Sequence, residues 1–191
     1  MTVHNNNEIG IRLSGTGGQG VILVGIILAE AAIVFDDKNA IQTQTYGPEA
    51  RGGAVKCEVI ISDDDIDYPK VEEPDILLAM SQKAAITFAP DLKKGGILIT
   101  DSTFVGDVPE GRYQRFNIPF TQIARDELGK IVVANMVALG ALAGITEVVS
   151  RMSLEQAVMK RVPKSFLELN RRALAIGLRE ATTELVDHPL K

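Results

Sequence analysis

The sequence predicts an α/β fold: a mixed, largely parallel sheet flanked by helices, with a Rossmann-like glycine loop after the first strand. Three observations carry this. Short apolar or β-branched runs at residues 9–14, 75–80 and 97–101 alternate with helical stretches, the order expected of strand–helix–strand units. The second and third are apolar almost throughout, as strands covered on both faces are. The first breaks into Gly15-Thr16-Gly17-Gly18-Gln19-Gly20 before apolar residues resume at Val21.

Composition narrows the function classes. The 191 residues are 46% hydrophobic and 24% charged, which suits one domain spanning 1–191 with a substantial core. A net charge of −5 and no strongly basic stretch argue against a nucleic-acid surface. One cysteine, Cys57, can form neither an intrachain disulfide nor a cysteine-ligated cluster. His4 and His188 lie in polar terminal segments, so no catalytic residue and no metal ligand is assigned. The polar, asparagine-rich start has no apolar signal-peptide core, so a cytoplasmic location is expected. Residues 131–146 are uncharged but fall short of the roughly twenty a membrane span needs, so they read as a buried helix and no membrane contact is expected.

The glycine run is the first candidate site. Gly15, Gly17 and Gly20 fit G-x-G-x-x-G, with Gly18 and Gln19 between them. The helix that follows leaves its first amides without intrahelical acceptors, a ready anion site; the competing reading is a turn that only lets the helix pack on the sheet. Residues 21–35 are apolar on nearly every face and predict a helix covered on more than one side. Residues 40–46 alternate as a second strand. A dinucleotide-binding Rossmann domain would place an acidic residue near that strand's end; here stand Thr43, Gln44, Thr45 and Tyr46, which counts against NAD.

Next comes Tyr46-Gly47-Pro48-Glu49-Ala50-Arg51-Gly52-Gly53, in which glycines and a proline set an irregular backbone while Glu49 and Arg51 supply an acceptor and a bidentate donor. It reads as a clamp or as a solvated turn. Residues 54–62 form a strand with Cys57 buried and unreactive; Asp63, Asp64 and Asp65 lack the spacing of a calcium loop. The strand at 75–80 delivers Ser81 and Gln82 to an edge where open α/β sheets bind ligands, though Ser81 equally suits a helix N-cap. A short helix at 84–88, strands at 97–101 and 113–118 and a helix at 120–128 follow. Residues 131–149 predict one buried helix with Gly140 and Gly144 set for close approach. Asn135 within it either satisfies neighbouring backbone or reaches a ligand or partner. A helix capped by Ser153 ends before Pro163, and a last helix covers 165–186.

Six segments in order resemble the gamma subunit, or the corresponding fused domain, of the 2-oxoacid:ferredoxin oxidoreductases. They are Gly15 through Gly20 with Leu28-Ala29-Glu30-Ala31; Tyr46 through Gly53; Ile66-Asp67-Tyr68-Pro69; Pro74-Asp75 leading to Met80-Ser81-Gln82; Gly95-Gly96 leading to Asp101-Ser102; and Asn135-Met136-Val137 before Leu139-Gly140. The resemblance implies oxidative decarboxylation of a 2-oxoacid to an acyl-coenzyme A and CO2. Thiamine diphosphate with Mg and iron–sulfur clusters would serve the chemistry, with ferredoxin as electron acceptor.

This chain has neither the cysteines for a cluster nor a glycine-aspartate-glycine segment for thiamine diphosphate, so it binds no cofactor alone. Alpha, beta and ferredoxin-like delta subunits are the implied partners, giving a hetero-oligomer. Within it the glycine amides would bind anion, Gln19 would orient, and Arg51 would pair with coenzyme A phosphate or a partner carboxylate. The Tyr46–Gly53 segment and Ile66-Asp67-Tyr68-Pro69 look more like 2-oxoglutarate or branched-chain members than pyruvate members. The alternatives are a purely structural docking subunit and a standalone nucleotide-binding protein.

Overall fold

Six strands, β1 (Ile9–Thr16), β2 (Asn39–Thr45), β3 (Ala54–Ser62), β4 (Ile76–Ala79), β5 (Ile97–Asp101) and β6 (Gln114–Ile118), form one sheet in the order β2-β3-β1-β4-β5-β6. They are seen in a computed structural model that describes residues 8–45 and 54–190. The pairs β1–β4, β4–β5 and β5–β6 are parallel, and β3 is antiparallel to both β1 and β2. The sheet is therefore mixed and largely parallel, with β3 the reversed strand.

Alternation along β4 shows how the layers are made. Ile76 and Leu78 enter a large core with Leu13, Val59, Ile99 and Phe116, while Leu77 and Ala79 enter a smaller one with Ala84, Ala85 and Leu98. Helices α1 (Val21–Glu30), α3 (Phe120–Leu128), α4 (Ala134–Thr146), α5 (Arg151–Arg161) and α6 (Leu167–Asp187) contribute to the large core, and α2 (Gln82–Phe88) to the small one. All but two of the residues of α4 are buried, because α1, α3 and α6 all pack against it. No helix among the described residues is long and apolar enough to cross a membrane.

The glycine turn joins β1 to α1 as expected. Its Rossmann-like character finds support only in that strand–turn–helix order, since α1 leads to edge strand β2, which is separated from β1 by antiparallel β3.

Three helix boundaries differ from the sequence pattern. The helix expected over 21–35 is α-helical to Glu30 and then widens into a π turn, Ala31–Phe35, closed by Asp36 N–H donating to Ala31 O. The apolar stretch 131–149 divides into a 3-10 turn at Ile131–Val133 and α4. The α-helix stops where Glu147 takes φ 50°, a left-handed conformation that breaks the ladder. Ser150, not Ser153, caps α5: its Oγ accepts from Ser153 N–H at 3.2 Å, while Ser153 Oγ donates to Asp36 at 2.6 Å. An apolar pattern records burial, and burial continues past the residues at which the backbone turns.

Two carboxylates fasten α5 to the end of α1. Burial works against ionisation of Glu30, but Lys160 and Arg161 outweigh it and hold the carboxyl below its usual range. Burial likewise opposes the Asp36 charge, and hydrogen bonds from Ser153 and Ser150 overcome it. A folded-state pKa below the unfolded value gives stability that is present above the ordinary carboxylate pKa, about 4, and lost as pH falls through the folded value. Denaturant midpoints are expected to hold from pH 7 to 5 and fall below about pH 4. The double variant Glu30→Gln/Asp36→Asn should flatten that acid limb; an unchanged limb would show that these two groups do not drive it.

Candidate functional site

Strands β1, β4, β5 and β6 run the same way, so their carboxyl ends share one edge of the sheet. Thr16 pairs with Ala54, and Thr45 with Lys56, which brings both flanks of the 46–53 link to that edge as well. The candidates Tyr46, Gly47, Glu49, Arg51, Gly52 and Gly53 themselves lie outside the described residues.

The glycine turn is built around Gln19. A Cβ on Gly15 would fall 2.4 Å from Gln19 Oε1 and 3.1 Å from Met80 Cβ, so only glycine lets the side chain fold back across the strand end. Gln19 Oε1 accepts from Thr16 N–H at 2.6 Å and its Nε2 donates to Met80 O at 2.8 Å. Gln19 thus staples the turn to β4, which uses the amide that the sequence reading assigned to orienting a ligand.

Ser81 and Gln82 are also engaged within the fold. Ser81 is buried at the α2 N-cap, its Oγ accepting from Ala84 N–H at 3.2 Å, so the capping reading describes its place. Gln82 accepts from Gly106 N–H at 2.9 Å and donates to Asp107 O, tying the loop after β5 to α2.

Gly20 and Asn135 meet. Gly20, φ 73°, is the residue before α1, and Asn135 Nδ2 lies 2.3 Å from where its Cβ would be. Asn135 is 7% exposed, and its side chain has no hydrogen-bond partner among the described residues. Helix α1 has no side-chain cap and no acidic residue in its first turn, and its outermost backbone bond runs from Val24 N–H to Gly20 O. The amides of Val21, Ile22 and Leu23 precede that bond and have no intrahelical acceptor. Gly17 and Gly18 are exposed, and open space surrounds the position of a Cβ on Gly18.

Two charged clusters escaped the sequence reading. Arg12, in the middle of β1, donates through Nε to Glu58 at 2.8 Å, through Nη1 to Asp91 and through Nη2 to Val71 O, with the Phe88 ring centroid 5.3 Å from the guanidinium. Asp101, fully buried at the end of β5, accepts from Thr121 Oγ1 at 2.5 Å and from Thr103 N–H at 3.0 Å, linking β5 to the start of α3. The signal for the first was Arg12 inside one apolar strand and Glu58 inside another, at positions that the register now pairs. The Asp101 cluster holds the carboxyl edge in shape, and the Arg12 cluster ties the middle of β1 to β3 and to the segments at Val71 and Asp91. Two concavities, of about 440 and 320 Å³, open at the opposite edge beside Lys38 and Ser150 and beside Asp75 and Gly96.

Residues 10–180 match the family described as Pyruvate ferredoxin/flavodoxin oxidoreductase. The chain is 50% identical to the 2-oxoglutarate synthase subunit KorC of Methanocaldococcus jannaschii, covering 87% of this chain and 90% of that one. Against the pyruvate synthase subunit PorC of the same organism identity is 31%, over 90% of this chain and 96% of the other. Among solved structures it resembles the keto/oxoacid ferredoxin oxidoreductase gamma subunit of Geobacter sulfurreducens, with TM-score 0.84 and 48% identity over 92% of this chain and 99% of that one. It also resembles the 2-oxoglutarate:ferredoxin oxidoreductase of Magnetococcus marinus, with 2-oxoglutarate, coenzyme A and succinyl-CoA bound. There the TM-score is 0.79 and identity 25%, over 94% of this chain and 32% of that longer one. With its mixed six-stranded sheet and these matches along nearly its whole length, the chain belongs to the pyruvate ferredoxin/flavodoxin oxidoreductase family, as a gamma subunit of a 2-oxoacid:ferredoxin oxidoreductase.

Proposed function

We propose that this gamma subunit serves a complex that converts 2-oxoglutarate to succinyl-coenzyme A and CO2 with reduction of ferredoxin, and that its carboxyl edge faces the catalytic subunits and coenzyme A. The observation that carries the substrate is the identity of 50% to a 2-oxoglutarate subunit against 31% to the pyruvate subunit of the same organism. In support of the docking edge, Ile131 and Val132, just ahead of Asn135, are apolar yet 55% and 70% exposed. Coenzyme A is bound in the Magnetococcus structure, about a third of whose chain this one resembles.

The residues of this chain do not fit an iron–sulfur cluster. Its one cysteine, Cys57, is fully buried, burial pushes its thiol pKa up, and Gln42 Nε2 lies 3.1 Å from Sγ. The clusters, thiamine diphosphate and Mg therefore belong to alpha, beta and delta partners in this proposal, and the gamma chain supplies docking and ligand contact. The test is activity of the complex co-purified at native expression. We expect kcat/KM for 2-oxoglutarate to exceed that for pyruvate by at least about tenfold, because a site built for a second carboxylate is left unpaired by pyruvate. Equal or reversed preference would overturn the substrate. A docking subunit with no ligand is the second reading, favoured by the internal use of Gln19, Ser81 and Gln82. Coenzyme A titrated into the isolated chain and into the assembled complex separates the two.

A further inference from the structure

The two outer strands of the sheet are finished differently. Strand β6 is short, carries Arg115, and is clasped by the end of the chain, where Gln114 Nε2 donates to His188 O at 3.2 Å and to Pro189 O at 2.9 Å. Strand β2 has no such cover among the described residues. Its seven residues, Asn-Ala-Ile-Gln-Thr-Gln-Thr, hold no charge, proline or glycine and run without a bulge along β3, from Asn39 opposite Ser62 to Thr45 opposite Lys56. Alternate residues of β2 therefore direct N–H and C=O groups away from β3. Edge strands are ordinarily blunted by a charge, a proline or a bulge, and β2 has none of the three.

We propose that β2 is the pairing edge of a homodimer, joined antiparallel to β2 of a second copy so that the two six-stranded sheets continue as one. The sequence of this strand is complementary to itself. About a two-fold axis at Gln42, Gln42 faces its own copy, Ile41 faces Thr43 and Ala40 faces Gln44, which sets no like charges opposite one another and pairs β-branched residues on one face. An uncharged edge gives a different chain little to recognise by sign, whereas a strand of the same sequence matches it residue by residue. Apolar surface lies where the second copy arrives. Ile33 and Val34, in the π turn that packs beside β2, are both half exposed, and the antiparallel register brings the carboxyl end of the partner strand alongside them. The axis is perpendicular to the sheet, so the two carboxyl edges point in opposite directions and both stay open. A gamma pair then bridges two catalytic units. The pairing is independent of which 2-oxoacid the complex uses.

The test uses the full chain and the assembled complex. Sedimentation of the full chain should give the mass of two copies, and native mass spectrometry of the complex an even number of gamma subunits. Thr43→Lys adds the edge charge that β2 lacks. Within one protomer the new lysine stands opposite Glu58, a favourable pair, so the Tm should hold while the dimer Kd rises about tenfold. Should that variant melt early, a spin label on Thr45→Cys takes its place. Cys57 is fully buried and stays unlabelled, and the antiparallel register sets the two labelled backbone positions about 20 Å apart. A chain that sediments as one copy at every concentration, a dimer that folded Thr43→Lys leaves intact, or labels far from that spacing would overturn the pairing. Hydrogen-exchange protection of the β2 amides that arises only in the complex would overturn it as well, because the edge would then belong to a strand of a catalytic subunit.

Discussion

Gly177→Ala is expected to destabilise the chain by about 3 kcal/mol or more, enough to lower its Tm by roughly 6–12 °C. A Cβ at position 177 would lie 2.0 Å from Val137 O and 2.8 Å from Ala141 N, both backbone atoms of α4. Gly140 is the reciprocal case, 2.3 Å from Leu174 O, and Gly144 would meet Ala181 Cβ at 2.6 Å. Helices α4 and α6 therefore touch backbone to backbone, and no rotamer change can relieve the contact. The axes must part along a helix buried nearly all round, opening gaps that the surrounding Leu139, Leu142 and Leu174 cannot close. Gly129→Ala is the control: its φ of 66° disfavours alanine but nothing lies near the added atom, so about 1 kcal/mol is expected. Thermal and denaturant melts of both variants measure the difference, and comparable losses would show that helix contact is not the cause.

Arg12→Met is expected to cost about 3 kcal/mol, the lower end of the range for breaking a buried ion pair. The guanidinium is 3% exposed and satisfies the buried Glu58, the Asp91 carboxylate and the Val71 carbonyl in three directions. Methionine fills much of the volume but leaves the Glu58 carboxylate in a dry layer. Lys56, 3.2 Å from Glu58 Oε1, remains as a partner and keeps the loss from being larger. Asp91 is partly exposed and turns to water at little cost. Adding Glu58→Leu to Arg12→Met should restore at least half of the stability, because the expense of an orphaned charge disappears with the charge. If the double variant were no more stable than Arg12→Met, the loss would come from packing against Phe88 instead.

Both effects were only half visible in the chain. The spacing of Gly140 and Gly144 announces a close neighbour, yet it does not say whether that neighbour is the sheet, another helix or another subunit. The answer is α6 of the same chain, through Gly177, a residue some forty positions away. Arg12 stands alone in an apolar strand, where alternation marks a residue on the opposite face; that the face is a second core, and that Glu58 pairs with it, depends on β3 lying antiparallel beside β1 in one register. The order of strands was equally hidden: local runs identify strands, but the insertion of β3 between β1 and β2 comes from pairing across the sheet.

The sequence by itself determined the α/β class, the nearly buried strands β4 and β5, the apolar α4, the glycine turn after β1 and, through six segments in order, the family. Each of these rests on local periodicity or a contiguous motif, which neighbouring residues carry among themselves. Only the tertiary structure decided which polar groups at the carboxyl edge are spent and which are free. Gln19, Ser81, Gln82 and Asn135 are alike in sequence as polar residues beside glycines or strand ends. Their partners are backbone atoms from elsewhere in the fold: Met80 for Gln19, Gly106 for Gln82, and for Asn135 no hydrogen-bond partner among the described residues, only the bare backbone of Gly20. Whether a hydrogen-bonding group is satisfied depends on what folding brings within 3 Å of it, and that distance is set by the packing of whole elements.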